Sequence, residues 1–303
     1  MGVSAPTEKW TMGKLDAFKE IVRTNAPTSA LTWLRLGGPI EYLAEPRDEE
    51  ELVGVLKACR EDGVRARVLG DGSNLLVSDV GAPGLAIRLT APAFGDIQID
   101  APFVVAGGGA KVGRLATATA TAGLAGLEGL IGIPGTVGAG VARNVSTNDA
   151  SFEEYVESVR VAYFNGEIAE LSKNDIVFGD GVSSLENAIV LSAKFRLTPE
   201  NPEELAKRLQ KIWIVRKQTT PDATEGCARM FKNPRGQRAA DLIADAGFRG
   251  ARIGGAVVSE RNPNFVEASE GCVGEDVKRL LNLIQTQARE RLGVELEREL
   301  EIW

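Results

Sequence analysis

Apolar residues recur along this chain at two spacings, and the spacing sets the expected element. Over residues 14–24, Leu15, Phe18, Ile21 and Val22 fall on one stripe, which predicts a helix. A turn at Gly37-Gly38-Pro39 leads into a short extended piece over residues 40–43. Asp48 stands three residues before Glu51, the spacing of a capping box. Leu52, Val55, Leu56 and Cys59 then give a helix its apolar face, and Gly63 ends it. Short β-like runs broken by glycine follow at residues 66–69, 75–77, 85–89 and 103–106.

Residues 112–122, rich in Ala and Thr, read as a second helix. Two strands at 156–164 and 167–171 are joined by Asn165-Gly166, which predicts a type I′ hairpin turn. Another strand is expected at 188–197. Asn201-Pro202-Glu203-Glu204 is a helix start with proline at the first helical position, and Leu205, Leu209, Ile212 and Trp213 form the side expected to be buried. The clearest helix spans 275–292, with Val277, Leu280, Leu281, Ile284 and Ala288 inward and Gly293 as its stop. Strands and helices do not alternate as in a doubly wound sheet, so the expected class is α+β. Three subdomains are expected, 1–90, 91–215 and 216–303.

Composition narrows the chemistry. The 303 residues are 44% hydrophobic and 25% charged, which fits a globular chain rather than a disordered one. A net charge of −7 speaks against general nucleic-acid binding, which needs a basic face. Cys59, Cys227 and Cys272 form no CxxC pair, so a reducing, cytoplasmic setting is expected. No signal-peptide core and no run of about 18 apolar residues is present, so no membrane partner is expected. The chain has no histidine, which removes His-based triads, His general bases and His-ligated zinc; no metal is expected. Thirty-four glycines, many clustered, point to backbone that approaches a ligand closely.

Four segments carry the candidate chemistry. The first is Gly70-Asp71-Gly72-Ser73-Asn74-Leu75, a strand–loop–strand passage whose amides can converge on a phosphate; a plain hairpin turn is the alternative. The second runs over residues 128–140 and holds Gly132-Ile133-Pro134-Gly135-Thr136 and Gly138. Glycine costs about 1 kcal/mol inside a helix, so this stretch is expected to be non-helical, laid against a flat ring system and a pyrophosphate. Asn144, just after it, can donate to that ligand. The third is Cys227-Ala228-Arg229-Met230-Phe231-Lys232-Asn233-Pro234. Here Arg216, Lys217, Arg229, Lys232, Arg235 and Arg238 outnumber Asp222 and Glu225, giving a cationic patch or else a solvated loop. The fourth, residues 293–300, alternates apolar and charged as an edge strand would.

In order, these segments resemble the UDP-N-acetylenolpyruvoylglucosamine reductases, over residues 32–300 and in the shorter class of that family. Leu36-Gly37-Gly38-Pro39, the loops at 70–77 and 128–138, Phe231-Lys232-Asn233-Pro234, Ala246-Gly247-Phe248-Arg249-Gly250, Gly254-Gly255-Ala256 and Ser259 carry the resemblance. It implies a vanillyl-alcohol-oxidase/PCMH-type FAD-binding fold of two lobes plus a C-terminal α+β substrate-binding domain. It implies non-covalent FAD held by the two loops, NADPH as co-substrate and a UDP-sugar substrate, with a monomer or weak dimer expected. Lys232 and Asn233 match substrate-contacting positions, and Glu299 matches the catalytic glutamate.

The sequence departs from the pattern at the reaction centre. The family's Tyr-Arg pair falls at Asp180-Gly181, its proton-donating serine at Arg229, and its histidine before Asn-Phe at Asn262. Its Asn-Ala-Gly reads Asn144-Val145-Ser146. Two accounts follow. In one the site is rebuilt, with Arg229 supplying the charge missing at Gly181 and Glu299, or less directly Cys227, as the acid. In the other the chain is an impaired flavin- or nucleotide-sugar-binding paralogue.

Overall fold

The computed structural model describes residues 13–221 and 226–303; Asp222 and Glu225 of the proposed patch lie outside them. The first sheet has the order Val22–Pro27, Pro39–Ala44, Ala82–Ile87, Ala66–Val68, the first pair antiparallel and the others parallel. The helix Glu49–Asp62 packs Leu52, Val55, Leu56 and Cys59 on this sheet, against Tyr42, Leu85 and Ile87. Its cap is half the expected box. Asp48 accepts from the Glu51 amide at 2.9 Å, but the Glu51 carboxylate turns back to the Arg47 amide at 2.8 Å. Gly63 ends the helix at φ 68°.

The helix expected over residues 14–24 is cut short. A 3-10 turn covers Gly13–Phe18, and Val22–Pro27 is a strand registered on Pro39–Ala44. Burial of Val22 and Ala26 on the sheet, together with the strand ladder, outweighs the local helical stripe.

The second sheet is antiparallel throughout, in the order Ile168–Ser172, Val156–Tyr163, Ala188–Arg196, Phe103–Gly107, Ile97–Asp100. Its core centres on Phe152, Val159, Val161 and Phe195. The Asn165-Gly166 hairpin is not type I′. Gly166 N donates to Tyr163 O at 2.8 Å, and only Gly166 has positive φ, at 87°. This is the longer hairpin whose bulge residue is the left-handed glycine. The helix Pro202–Thr219 buries Leu205 and half-buries Leu209 against the helix Val112–Thr121. Trp213, expected inside, is 44% exposed and lies under the Lys217 ammonium.

The third sheet, Cys227–Arg229, Phe265–Ala268, Ala256–Val258, Arg252–Ile253, carries the helices Ala239–Asp245 and Gly274–Leu292. The long helix buries Val277, Leu280, Leu281, Ile284 and Ala288 and stops at Gly293, as its periodicity predicts. Two links tie this unit to the first. The Asp79 carboxylate caps the long helix, accepting from Gly274 and Glu275 amides at 2.8 and 3.0 Å. The strand Glu301–Ile302 pairs in parallel with Leu75–Leu76.

Candidate functional site

The two glycine-rich loops meet at one cleft of about 1100 Å³. Gly72 sits at φ 63°, and a Cβ there would stand 2.1 Å from the Leu31 carbonyl oxygen, while Trp33 N donates to Gly72 O. That position needs glycine both for its left-handed backbone and for the space. Among the described residues, the backbone N–H groups from Gly70 through Asn74 find no protein acceptor. Gly70 and Asp71 line the cleft, and the run of unspent donors that begins with them suits an anionic group.

Residues 137–142 of the second segment are helical, against expectation, with Thr136 as the N-cap, its Oγ1 accepting from Ala139 N. The two glycines are required here for packing: a Cβ on Gly138 would stand 2.9 Å from Gly108 O, and one on Gly140 2.5 Å from the Phe152 ring. Close approach therefore outweighs their helix cost. A Cβ on Gly70 would touch Thr136 Oγ1 and Ala139 Cβ at 3.2 Å, so the loops are in mutual contact.

Of the expected cofactor residues, Gly70, Asp71, Thr136 and Gly138 line the cleft. Gly72, Ser73, Leu75, Gly132, Ile133, Pro134 and Gly135 do not; they back it, with Ser73 Oγ facing Gly135 and Gly132 lying against Arg216 and Trp213. Arg216, expected in a surface patch, is turned inward and donates to the carbonyls of Gly129 (3.2 Å) and Ile131. Burial pulls its pKa below the ordinary arginine value, with Asp149 opposing. Asn144 corrects a further expectation. At 5% exposure its amide is spent on the protein: Nδ2 donates to Glu153 Oε2 and Gly179 O, and Oδ1 accepts from Glu153 N. It braces the hairpin that carries Asp180 and Gly181.

The cleft is more basic than the chain. Arg60, Arg65, Arg67, Arg88, Lys111 and Arg143 line it against Asp71, Glu186 and Glu301. The buried Arg88 Nε has no partner among the described residues. Sequence reading missed these cations because they come from separate segments with no shared motif. The unspent amides, the orphaned Arg88 donor and the cations Arg60, Arg65, Arg67 and Lys111 fit a dinucleotide diphosphate.

One end of the cleft runs into a second cluster. In the extended passage 297–301, Glu297, Glu299 and Glu301 recur at every other residue, and each engages its own cation, two from the segment 227–234 and one from the end of the helix Val137–Ala142. Glu297 pairs with Lys232, Glu299 with Arg229 Nε at 3.0 Å, and Glu301 with Arg143. Asn74 holds this passage in place: Nδ2 donates to Glu299 O at 2.9 Å, and Oδ1 accepts from Arg229 N at 3.0 Å. Asn74 was expected on the cofactor, but its amide clasps the two candidate catalytic residues instead. Burial raises the Glu299 carboxyl above the ordinary range. Arg229, Arg143 and Lys232 pull it back, and Asp180 pushes it further up.

The cation beside Gly181 is not Arg229. The Lys232 Cε lies 3.6 Å from where a Gly181 Cβ would stand, and Arg143 lines the cleft with Gly181. Asn233 is exposed beside Lys232, and its Oδ1 caps the helix Ala239–Asp245 at Ala239 N (3.0 Å). Cys227 is fully buried in its strand and offers no acid to the cleft. Of the expected cationic patch, Lys232, Arg229 and Arg216 are thus engaged by Glu297, Glu299 and the 129–131 carbonyls, while Lys217 lies on Trp213 and Arg238 is 3.9 Å from Asp241.

Among the described residues, no helix is long and apolar enough to cross a membrane, and no group of three His, Cys, Asp or Glu side chains could hold a metal ion. Residues 220–303 match the family described as UDP-N-acetylenolpyruvoylglucosamine reductase, C-terminal domain, and residues 40–172 match an FAD binding domain. The chain is similar to the UDP-N-acetylenolpyruvoylglucosamine reductase of Rhodopirellula baltica, 35% identical over 99% of this chain and 98% of that one. The Bacillus licheniformis reductase is 33% identical, covering 93% of each. The crystal structure of the reductase from Thermus caldophilus superposes with a TM-score of 0.78 at 32% identity, over 93% of this chain and 98% of that one. The fold is accordingly α+β with an FAD-binding part of the vanillyl-alcohol-oxidase type.

Proposed function

The chain belongs to the UDP-N-acetylenolpyruvoylglucosamine reductase family, and we propose that it uses NADPH to reduce UDP-N-acetylglucosamine enolpyruvate to UDP-N-acetylmuramate. The observation that carries this reading is the place of Glu299. It lies where the cofactor cleft meets the third sheet, clasped by Asn74 from the first glycine loop and paired with Arg229.

Bound FAD supplies the hydride relay between NADPH and the enolpyruvyl double bond. Glu299 provides the proton for the neighbouring carbon, since burial holds its carboxyl in the protonated form to higher pH than usual. Arg229 keeps its charge at all relevant pH and cannot act as the acid. It instead balances the carboxylate that Glu299 becomes on giving up its proton, and it stabilises negative charge on the substrate. Lys232, beside Gly181, and the exposed Asn233 are the side chains proposed to meet the UDP-sugar, a role that rests on their match to the family's substrate-contacting positions.

The second-sheet core lies wholly within 91–215, which supports subdomains 1–90, 91–215 and 216–303, while the first-sheet core also takes in Ala162, Ile189 and Leu191 and the third-sheet core Leu34 and Leu76. A doubly charged UDP-sugar does not cross a membrane unaided, so the proposed substrate supports a cytoplasmic protein, and a monomer or weak dimer is part of the same proposal.

Anaerobic mixing of flavin-loaded protein with NADPH and then substrate tests the reading, followed by flavin absorbance at about 450 nm. Bleaching followed by substrate-driven recovery is expected. Bleaching without recovery would overturn it in favour of a second reading, a binding paralogue. That reading is favoured by the missing side chain at Gly181 and by the ion pair that engages Glu299.

A further inference from the structure

Arg143 belongs to none of the recognised motifs, yet it is built into the reaction centre from both sides. It is the C-cap of the helix Val137–Ala142. The carbonyl of Ala142, just before it, accepts from Ser183 Oγ at 2.7 Å, and the amide of Asn144, just after it, donates to Gly179 O at 2.9 Å. Both neighbours therefore grip the hairpin that carries Asp180 and Gly181, one on each side of those two residues. Gly181 presents no side chain and Arg143 lines the same cleft; Lys232 also reaches Gly181, with its Cε 3.6 Å from where a Cβ would stand, but its ammonium is paired with Glu297.

Glu301 orients it. One Glu301 oxygen accepts from Arg143 and the other from Trp303 Nε1 at 2.7 Å, so the carboxylate is fixed at both oxygens. Arg143 uses one guanidinium nitrogen in this contact and keeps further donors for a ligand. Its side chain is half exposed within a cleft-lining position, and its charge is felt at Glu299. A guanidinium on a fixed backbone, with free donors beside a proton-donating group, is a receptor for a planar carboxylate.

We propose that Arg143 binds the carboxylate of the substrate's three-carbon ether group, with Glu301 as its positioning residue, so that the reacting carbons sit beside Glu299. The identity of the ligand rests on the proposed reductase reading. The role of Arg143 as a carboxylate receptor is separable from turnover.

The test compares two nucleotide sugars on flavin-loaded protein, by calorimetry and by the change in the flavin spectrum. UDP-N-acetylmuramate carries the carboxylate and UDP-N-acetylglucosamine does not. Wild type is expected to prefer the former. Arg143→Met is expected to weaken it by about 10- to 100-fold while leaving UDP-N-acetylglucosamine affinity and flavin content within about twofold, since a charged hydrogen bond is lost. Arg143→Lys should restore part of the preference. Glu301→Ala should lower the preference less than Arg143→Met does, with Glu301→Asp recovering it.

An unchanged preference in Arg143→Met, or no preference in wild type, overturns the inference even if wild type turns over. Loss of both ligands or of flavin in Arg143→Met and Arg143→Lys alike also overturns it, because Arg143 is then structural. A preference that Arg143→Met abolishes supports it even if wild type shows no turnover, in which case only the reductase reading falls.

Discussion

Asn74 and Glu299, 225 positions apart, are joined by one hydrogen bond of 2.9 Å from the Asn74 amide nitrogen to the Glu299 carbonyl. The same side chain accepts from the Arg229 amide at 3.0 Å. A residue of the glycine loop thereby fixes the backbone of both groups assigned to the chemistry. Asn74→Ala is expected to cost about 1–3 kcal/mol, the range for leaving part-buried groups unpaired. It should lower the rate of substrate-driven flavin reoxidation more than that of bleaching by NADPH. Asn74→Asp keeps the acceptor for Arg229 and loses the donor, so it should fall between the two. Chemical denaturation and stopped-flow absorbance give both numbers.

The pH profile should bear the mark of Glu299. Its carboxyl is raised by burial, so it holds its proton above the ordinary carboxylate range. As a proton donor it works while protonated, and the reoxidation rate should fall as pH rises through that raised value. Arg229, Arg143 and Lys232 oppose the rise, so Arg229→Met should move the falling limb to higher pH. A limb that stays fixed in Arg229→Met, or persists in Glu299→Gln, would assign it to another group.

Gly72→Ala places a methyl 2.1 Å from a backbone oxygen at a φ of 63°, where neither side can yield cheaply. A loss of about 3 kcal/mol or more is expected, with reduced flavin content in the purified protein. Thermal melting and the absorbance ratio of flavin to protein check it. Gly236→Ala is the control: its φ is also positive, at 75°, but nothing lies within 4 Å of the added carbon. It should cost clearly less.

Arg216 supports the second loop from behind through the carbonyls of Gly129 and Ile131. Arg216→Met leaves these acceptors unpaired, and Arg216→Lys cannot reproduce the planar fork. Both variants should release FAD faster, with methionine the worse, because the loop at 132–135 loses its anchor. Flavin fluorescence on dilution measures the release. An unchanged rate in both would place the loop's rigidity elsewhere.

Chemical resistance of the thiols offers a check on the packing. Burial pushes the Cys59 thiol up to about 12 and the Cys272 thiol up to about 11. At pH 8 both are almost wholly protonated, and the protonated form is the unreactive one. Alkylation of folded protein should therefore be slow, with the part-exposed Cys272 first and the buried Cys59 only on unfolding. Peptide mapping after timed exposure gives the order.

Local rules carried much of the fold. The 3.6-residue stripe, the first-position proline and the glycine stops placed the helices Glu49–Asp62, Pro202–Thr219 and Gly274–Leu292, because those signals act within a few residues. The glycine loops stood out as glycine-rich runs, whereas Lys232, Asn233 and Glu299 were singled out only by the resemblance to the reductase family. Partnership was not legible. Val22–Pro27 is a strand because Pro39–Ala44 lies beside it, and residues 137–142 are helical because Gly138 and Gly140 fit against Gly108 and Phe152. Asn74 and Asn144 read as ligand donors, but each carries side-chain hydrogen bonds that only folded neighbours can offer. Arg143 had no signal at all: its partner Glu301 is 158 residues away. Sequence by itself determined the three long helices, whose caps, stripes and stops are all local. Only the tertiary structure decided which polar side chains were left to meet a ligand, since a donor is free only after every nearer acceptor in the folded chain has been counted.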